Sequence, residues 1–196
     1  MFTGIVAALG TVSEVEETAT GRRIQFEDPL LLNDMGVGDS IAVNGVCLTA
    51  VAVGADRVAV DVVHESLNRS NLGSLTPGSL IDLERPMAAS GRFDGHIVQG
   101  HVDGVGTVES IVDEGEAQRV RISLDEDLAR YVVEKGSVTV DGVSLTVTAV
   151  GTEPWFEIVL IPHTLDVTVL GLRRQGDKVN LEMDVLAKYV ERLMSK

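Results

Sequence analysis

Along most of the chain, apolar and polar residues alternate over short runs. The β-branched stretches Ile41 to Val53, Arg57 to Val63 and Ser137 to Val150 are separated by Gly, Asp and Asn turn signals, a pattern that predicts strands. Links this short leave no room for the helical crossovers that parallel strands require, so the sheets are expected to be antiparallel. Short strands in about 90 residues close most economically into a small barrel, which also removes exposed edges. One segment breaks the pattern. In Val185 to Met194, residues Leu186, Tyr189, Val190 and Leu193 make an apolar stripe at helical spacing. About three turns of helix are marginal alone, so the stripe is expected to pack on the barrels or on the same helix of other subunits, the oligomer being favoured.

The pattern also repeats. Ser40-Ile41-Ala42-Val43-Asn44-Gly45-Val46-Cys47-Leu48-Thr49 returns as Ser137-Val138-Thr139-Val140-Asp141-Gly142-Val143-Ser144-Leu145-Thr146. Ser66-Leu67 with Leu72-Gly73 returns as Thr164-Leu165 with Leu170-Gly171, and Gly78 with Leu83-Glu84 returns as Gly176 with Leu181-Glu182. Gly4-Ile5-Val6 and Gly10-Thr11-Val12 correspond to Gly100-His101-Val102 and Gly106-Thr107-Val108. Several blocks in one order indicate tandem domains. The expected division is 1–94, 95–184 and a terminal helix over 185–196, with the boundary where Met87 to Gly91 loses periodicity.

Register is held between the halves while chemistry changes at a few positions. On a strand, Cys47, Thr49 and Val51 face one way, as do Ser144, Thr146 and Thr148 in the second copy. Ile5 becomes His101, His64 becomes Pro162, Glu65 becomes His163, Asn44 becomes Asp141, and Pro86 becomes Asp184. Each position also has a plain structural reading. A lone cysteine on a strand is usually a small buried hydrophobe. Asp184 stands where the helix begins and fits an N-cap, without the capping box because Ala187 occupies its third position. Asn44-Gly45 and Asp141-Gly142 read as hairpin turns. His96 and His101, five apart on a strand, would face opposite ways, so no metal site is expected. Gly104-Val105-Gly106 is too short for a dinucleotide fingerprint.

Composition narrows the classes. Thirty acidic against sixteen basic side chains give a net charge of -14, which repels nucleic acid and anionic lipid. One cysteine excludes an internal disulfide framework and a multi-cysteine zinc site, and fits a reducing compartment, so a cytoplasmic location is expected. The opening Met1 to Gly10 lacks a basic leader, and no stretch approaches the roughly 18 apolar residues of a membrane span, so a soluble, unprocessed chain is expected. Aromatic residues make up 4%, which points to aliphatic walls and backbone polar groups in any ligand site.

The opening Met1-Phe2-Thr3-Gly4-Ile5-Val6, the paired Asn44 to Thr49 and Asp141 to Thr146 blocks, and Gly95-His96-Ile97-Val98-Gln99-Gly100-His101-Val102-Asp103-Gly104 closely resemble the alpha-type riboflavin synthases. Ile161 to Leu165 and the closing Asn180 to Asp184 extend the resemblance over nearly the whole chain. It implies an all-β fold of two tandem six-stranded antiparallel Greek-key barrels plus a C-terminal α-helix that holds a homotrimer together. The implied activity is dismutation of two 6,7-dimethyl-8-ribityllumazine molecules to riboflavin and 5-amino-6-ribitylaminouracil, without metal or cofactor. The pocket of the C-terminal barrel would use Gly4, Ile5, Val6, Lys135, Ser144, Leu145, Thr146, Leu160, Ile161, Pro162, His163 and Thr164. That of the N-terminal barrel would use Cys47, Leu48, Thr49, Asp61, Val62, Val63, His64, Glu65, Ser66, Gly100, His101 and Val102. Asp184, Cys47, Ser144 and His101 are the expected catalytic residues, with Phe2 and Thr3 closing the site. Ala50, Ser66 and Asp94 depart from the usual family residues, and none of these changes removes a proposed polar function. The alternative is a protein that holds a lumazine or flavin without turning it over, as lumazine proteins do on the same fold. The full polar sets in both halves favour the enzyme.

Overall fold

The structure, a computed structural model, describes residues 1–28, 31–32 and 34–195. Six strands come first: β1 (Ala8–Thr18), β2 (Gly21–Glu27), β3 (Ser40–Val43), β4 (Val46–Val53), β5 (Arg57–Val63) and β6 (Leu80–Glu84). They close into an antiparallel barrel in the order β1-β2-β5-β4-β3-β6. The second half repeats this with β7 (Gly104–Glu114), β8 (Ala117–Ser123), β9 (Ser137–Val140), β10 (Val143–Thr146), β11 (Ala149–Val150), β12 (Trp155–Leu160) and β13 (Lys178–Met183). Its order is β10-β9-β13-β7-β8-β12-β11, the same path. Seven strands replace the expected six because the copy of β4 is split into β10 and β11 by Val147 and Thr148, so the two ends of the sheet are consecutive in the chain. The Val147 N–H bonds the Gly136 carbonyl (3.0 Å), just as Ala50 N–H bonds the Asp39 carbonyl (2.8 Å) in the first half. Bulges at Val12/Glu14 and Val108/Ser110 bend the first strand of each half at the same place.

Alternation decides the interiors. Val46, Leu48 and Ala50 of β4 point into the first core with Ile24, Phe26, Ile41, Val60 and Leu83, while Cys47, Thr49 and Val51 face outward. Ile122, Val138, Val140, Phe156, Ile158 and Leu181 fill the second core. Turns follow the expected chemistry. Asn44 and Gly45 (φ 44° and 79°) and Asp141 and Gly142 (φ 47° and 88°) turn β3 into β4 and β9 into β10 with both central residues left-handed.

Helices are more numerous than the sequence pattern suggests. Besides the terminal α4 (Val185–Met194), there are α1 (His64–Arg69), α2 (Glu126–Ala129) and α3 (Pro162–Val167). Four to six residues are too few to show a helical period, and β-branched residues run directly into α1 and α3. α4 leaves Leu186, Tyr189, Val190 and Leu193 exposed, and Lys196 lies outside the described residues. No described helix is long and apolar enough to cross a membrane.

The two barrels meet about a pseudo-twofold axis. Gly45 and Gly142 face one another so closely that a Cβ on either would stand 2.7 Å from the other's backbone nitrogen. Around them lies a buried polar seam. Asn44 Oδ1 accepts the Asp82 N–H (2.8 Å), and Asp141 Oδ1 accepts the Asn180 N–H (2.8 Å). Crossing between barrels, Asn180 Oδ1 accepts the Asn71 N–H (2.6 Å), and Asp82 Oδ1 accepts the Val169 N–H (2.8 Å). Asp141, fully buried, is neutralised by Arg173 Nη2 at 2.6 Å. The symmetry is also incomplete at Asp82. Asn180 Nδ2 donates to the Asn44 carbonyl (2.8 Å), whereas Asp82 Oδ2 has no hydrogen-bond partner among the described residues.

Candidate active site

Two extended straps cross the seam. Residues 2–6 leave the first barrel and lie on the second, where the Gly4 carbonyl accepts the Ser144 N–H (2.7 Å). Residues 96–102 do the converse, and the Gly100 carbonyl accepts the Cys47 N–H (2.9 Å). The straps touch each other through Phe2 and Val98. Only glycine allows this approach, because a Cβ at Gly4 would lie 2.7 Å from Ser144 Cβ and one at Gly100 would lie 2.5 Å from Cys47 Cβ; both have φ 77°. Glu84 and Glu182 fix the straps. Glu84 accepts the N–H groups of Thr3 (2.7 Å) and Gly4 (3.0 Å), and Glu182 accepts those of Gln99 (2.7 Å) and His101 (2.9 Å). Burial pushes both carboxyls above their ordinary value, and these N–H bonds hold them down.

The strap over Cys47 closes a cavity of about 150 Å³ on the outer face of the first barrel, lined by Cys47, Glu65, Ser66, Arg69, Gly100 and His101 among others. Glu65 and Arg69 form an ion pair along α1. The Cys47 thiol is pushed up by burial, opposed by a hydrogen bond with Ser40, so it rests as a thiol and not as a thiolate. In the second barrel the equivalent place holds Ser144, whose Oγ lies 2.7 Å from His96 Nδ1, while His96 Nε2 lies 3.2 Å from Thr139 Oγ1. Burial lowers the His96 imidazole, against the pull of the nearby Asp184 carboxylate. A neutral imidazole between two hydroxyls is able to accept a proton from Ser144 or orient its lone pairs. The two matching places thus hold a thiol beside the Glu65–Arg69 ion pair and a serine beside a histidine.

Of the residues expected in the N-terminal pocket, Cys47, Glu65, Ser66, Gly100, His101 and Val102 line that cavity. Leu48 and Val62 turn into the first core and Leu160 into the second, so they offer a ligand only backbone. Leu145 and Val6 pack against the second core. Thr49, Val63 and His64 are exposed beside the cavity, and Asp61 is held by Arg23 Nε at 2.7 Å, which keeps its carboxyl below the usual range. On the second barrel, Ile5 and Ile161 are half exposed, with Thr146 on β10 beyond Ser144 and Pro162, His163 and Thr164 on α3. Lys135 takes φ 66° where the first repeat has Gly38 at φ 97°, so a lysine is kept at a backbone position that costs it conformational energy.

Asp184 caps α4 as its place at the helix start suggests, accepting the Leu186 N–H at 2.9 Å. Phe2 is fully buried with Ala42, Val98 and Cys47 as a plug behind the pocket wall. His96 and His101 diverge as expected, but from an irregular strap and not from a strand. His96, Thr139, Ser40, Arg69, Glu84 and Glu182 are not among the expected pocket or catalytic residues. For the two glutamates a signal existed, since Leu83-Glu84 and Leu181-Glu182 mark the repeat.

A lumazine binding domain profile matches residues 3–86 and 99–184. The riboflavin synthase of Mycobacterium tuberculosis is 53% identical over 197 residues, covering 99% of this chain and 98% of that protein. The chain belongs to the riboflavin synthase family. LumP complexed with riboflavin shares the fold with a TM-score of 0.86 at 26% identity, covering 93% of this chain and 99% of that one. LumP complexed with 6,7-dimethyl-8-(1'-D-ribityl) lumazine superposes with a TM-score of 0.84 at 25% identity, with the same coverage. Within the riboflavin synthase family, then, this member carries two straps of one architecture, set over Cys47 in one barrel and Ser144 in the other.

Proposed function

We propose that the protein dismutates two molecules of 6,7-dimethyl-8-ribityllumazine, moving a four-carbon unit from one to the other to give riboflavin and 5-amino-6-ribitylaminouracil. The atoms of two substrates equal those of the two products, so the exchange calls for no oxidant and no cofactor. The observation that carries the reading is the pair of straps, each bonded to the matching strand of the other barrel, alike in backbone and unlike at Cys47 and Ser144. Two copies of one substrate fit sites so paired, and their different surroundings give the copies different fates. Alignment of two reactants supplies about 7 to 11 kcal/mol of the barrier, leaving proton traffic to the side chains.

In this reading Ser144, backed by His96, and Cys47, Asp184 and His101 carry the acid, base and addition steps, while Glu65, Asp61 and Lys135 grip ribityl hydroxyls. The remaining expected pocket residues form the walls. The chain divides into parts 1–94, 95–184 and 185–196. Exposed apolar residues at the pocket mouths and along α4 fit burial against neighbouring subunits, and a homotrimer lets an N-terminal half-site face a C-terminal one of the next subunit. The acidic surface and lone cysteine fit a soluble cytoplasmic enzyme. Incubating purified protein with 6,7-dimethyl-8-ribityllumazine and following riboflavin absorbance tests the activity; a mass measurement in solution tests the trimer.

A further inference from the structure

We infer that Glu84 and Glu182 are positioning residues that act across the seam, each carboxylate of one barrel setting the backbone wall of the half-site on the other. Glu84 ends β6 of the first barrel, yet the strap it grips at Thr3 and Gly4 presents its carbonyl to Ser144. Glu182 lies on β13 of the second barrel, and the strap it grips at Gln99 and His101 presents its carbonyl to Cys47. Besides the bonds the straps make with each other at Phe2, Thr3, His96 and Val98, each strap is held by a carboxylate on one edge and by an N–H of the pocket strand on the other.

The chemistry requires a carboxylate. Successive strap N–H groups converge on one point, forming a concave cluster of donors that only an acceptor with two free oxygens satisfies at every contact. Glutamine keeps one oxygen and turns an NH2 group toward the other donors. Both side chains are nearly inaccessible, so water does not replace what is lost. The halves diverge at Cys47 and Ser144, Ile5 and His101, and Pro86 and Asp184, but both keep glutamate here. With no room for a Cβ between Gly100 and Cys47 or between Gly4 and Ser144, a small strap movement changes the pocket wall directly. The assignment is crossed relative to the chain: Glu182 serves the Cys47 half-site and Glu84 the Ser144 half-site.

Cys47 is the one cysteine of the chain, so alkylation of the native protein by iodoacetamide reports the Cys47 half-site alone. Glu182→Gln should raise the alkylation rate several-fold, while Glu84→Gln leaves it within about twofold. Both should lower kcat/KM about tenfold or more, the scale of a lost hydrogen bond to a charged group. Besides burial, the Glu182 charge itself raises the Cys47 thiol, so the paired Glu→Asp variants, which keep the charge but withdraw it by one methylene, separate strap movement from loss of charge: they should show the same contrast more weakly, and no contrast between them overturns the inference. Equal acceleration in both variants, acceleration only in Glu84→Gln, or no acceleration in either overturns the inference. The kinetic arm rests on the proposed function, whereas the alkylation contrast needs no ligand. A wild type that forms no riboflavin therefore counts against the function alone.

Discussion

Replacing Asp82 by asparagine gives the first barrel the amide that the second already has in Asn180. Asn180 uses its Nδ2 to donate to the Asn44 carbonyl across the seam. Asp82 Oδ2, the matching atom of the first barrel, is buried and makes no hydrogen bond among the described residues. Burial pushes the Asp82 carboxyl up to about 8, reinforced by the Asp141 carboxylate and opposed by the Val169 N–H and Arg173. A carboxyl whose folded pKa is raised favours the folded state below its unfolded pKa of 3.8, and this contribution is lost as pH rises toward the folded value of about 8. Each pH unit in that window removes about 1.4 kcal/mol. Between pH 5.5 and 8.5 the stability of Asp82→Asn relative to wild type should therefore rise by about 3 kcal/mol. Urea denaturation at both pH values, with protein concentration fixed, measures the difference. A variant whose advantage is the same at both pH values, or which is less stable at pH 8.5, refutes the reasoning.

Other perturbations separate folding from function. Arg173→Met leaves the fully buried Asp141 carboxylate without its ion partner and should cost about 3–5 kcal/mol in urea denaturation; a loss below about 1 kcal/mol would show that the seam relaxes. Asp184→Ala removes a helix cap worth about 1 kcal/mol, so a tenfold or larger fall in turnover at that small stability cost would mark a chemical role. Cys47→Ser should likewise reduce turnover, and if both variants stay within a few-fold of wild type the catalytic assignment fails. Leu193→Glu places a charge in the exposed stripe of α4, and sedimentation should then report a smaller assembly than wild type.

The β-architecture was legible because strand alternation and turn residues act locally. Asn44-Gly45 and Asp141-Gly142 announce their hairpins, and Val46, Leu48 and Ala50 announce an inner face. The short helices were not, since α1 and α3 are held by context beyond any six-residue period. At the site, Cys47 and Ser144 could be paired from the repeat alone. The roles of Glu84, Glu182 and His96 could not, because each depends on a strap crossing from one barrel to the other. His96 and Ser144 are 48 residues apart, and nothing between them encodes their 2.7 Å contact. Asp82 reads as an ordinary strand acid until the seam shows it buried, with one oxygen unpartnered among the described residues and the Asp141 carboxylate near.

The proposed reaction sets two copies of one substrate against each other in alike but unequal pockets. Stopped and separated reaction mixtures, with 6,7-dimethyl-8-ribityllumazine as the only added small molecule, measure its stoichiometry. Riboflavin and 5-amino-6-ribitylaminouracil are expected in equal amounts, with two lumazines consumed for each riboflavin formed. A stable stoichiometric complex with the lumazine unchanged, or riboflavin without its pyrimidine partner, would contradict it.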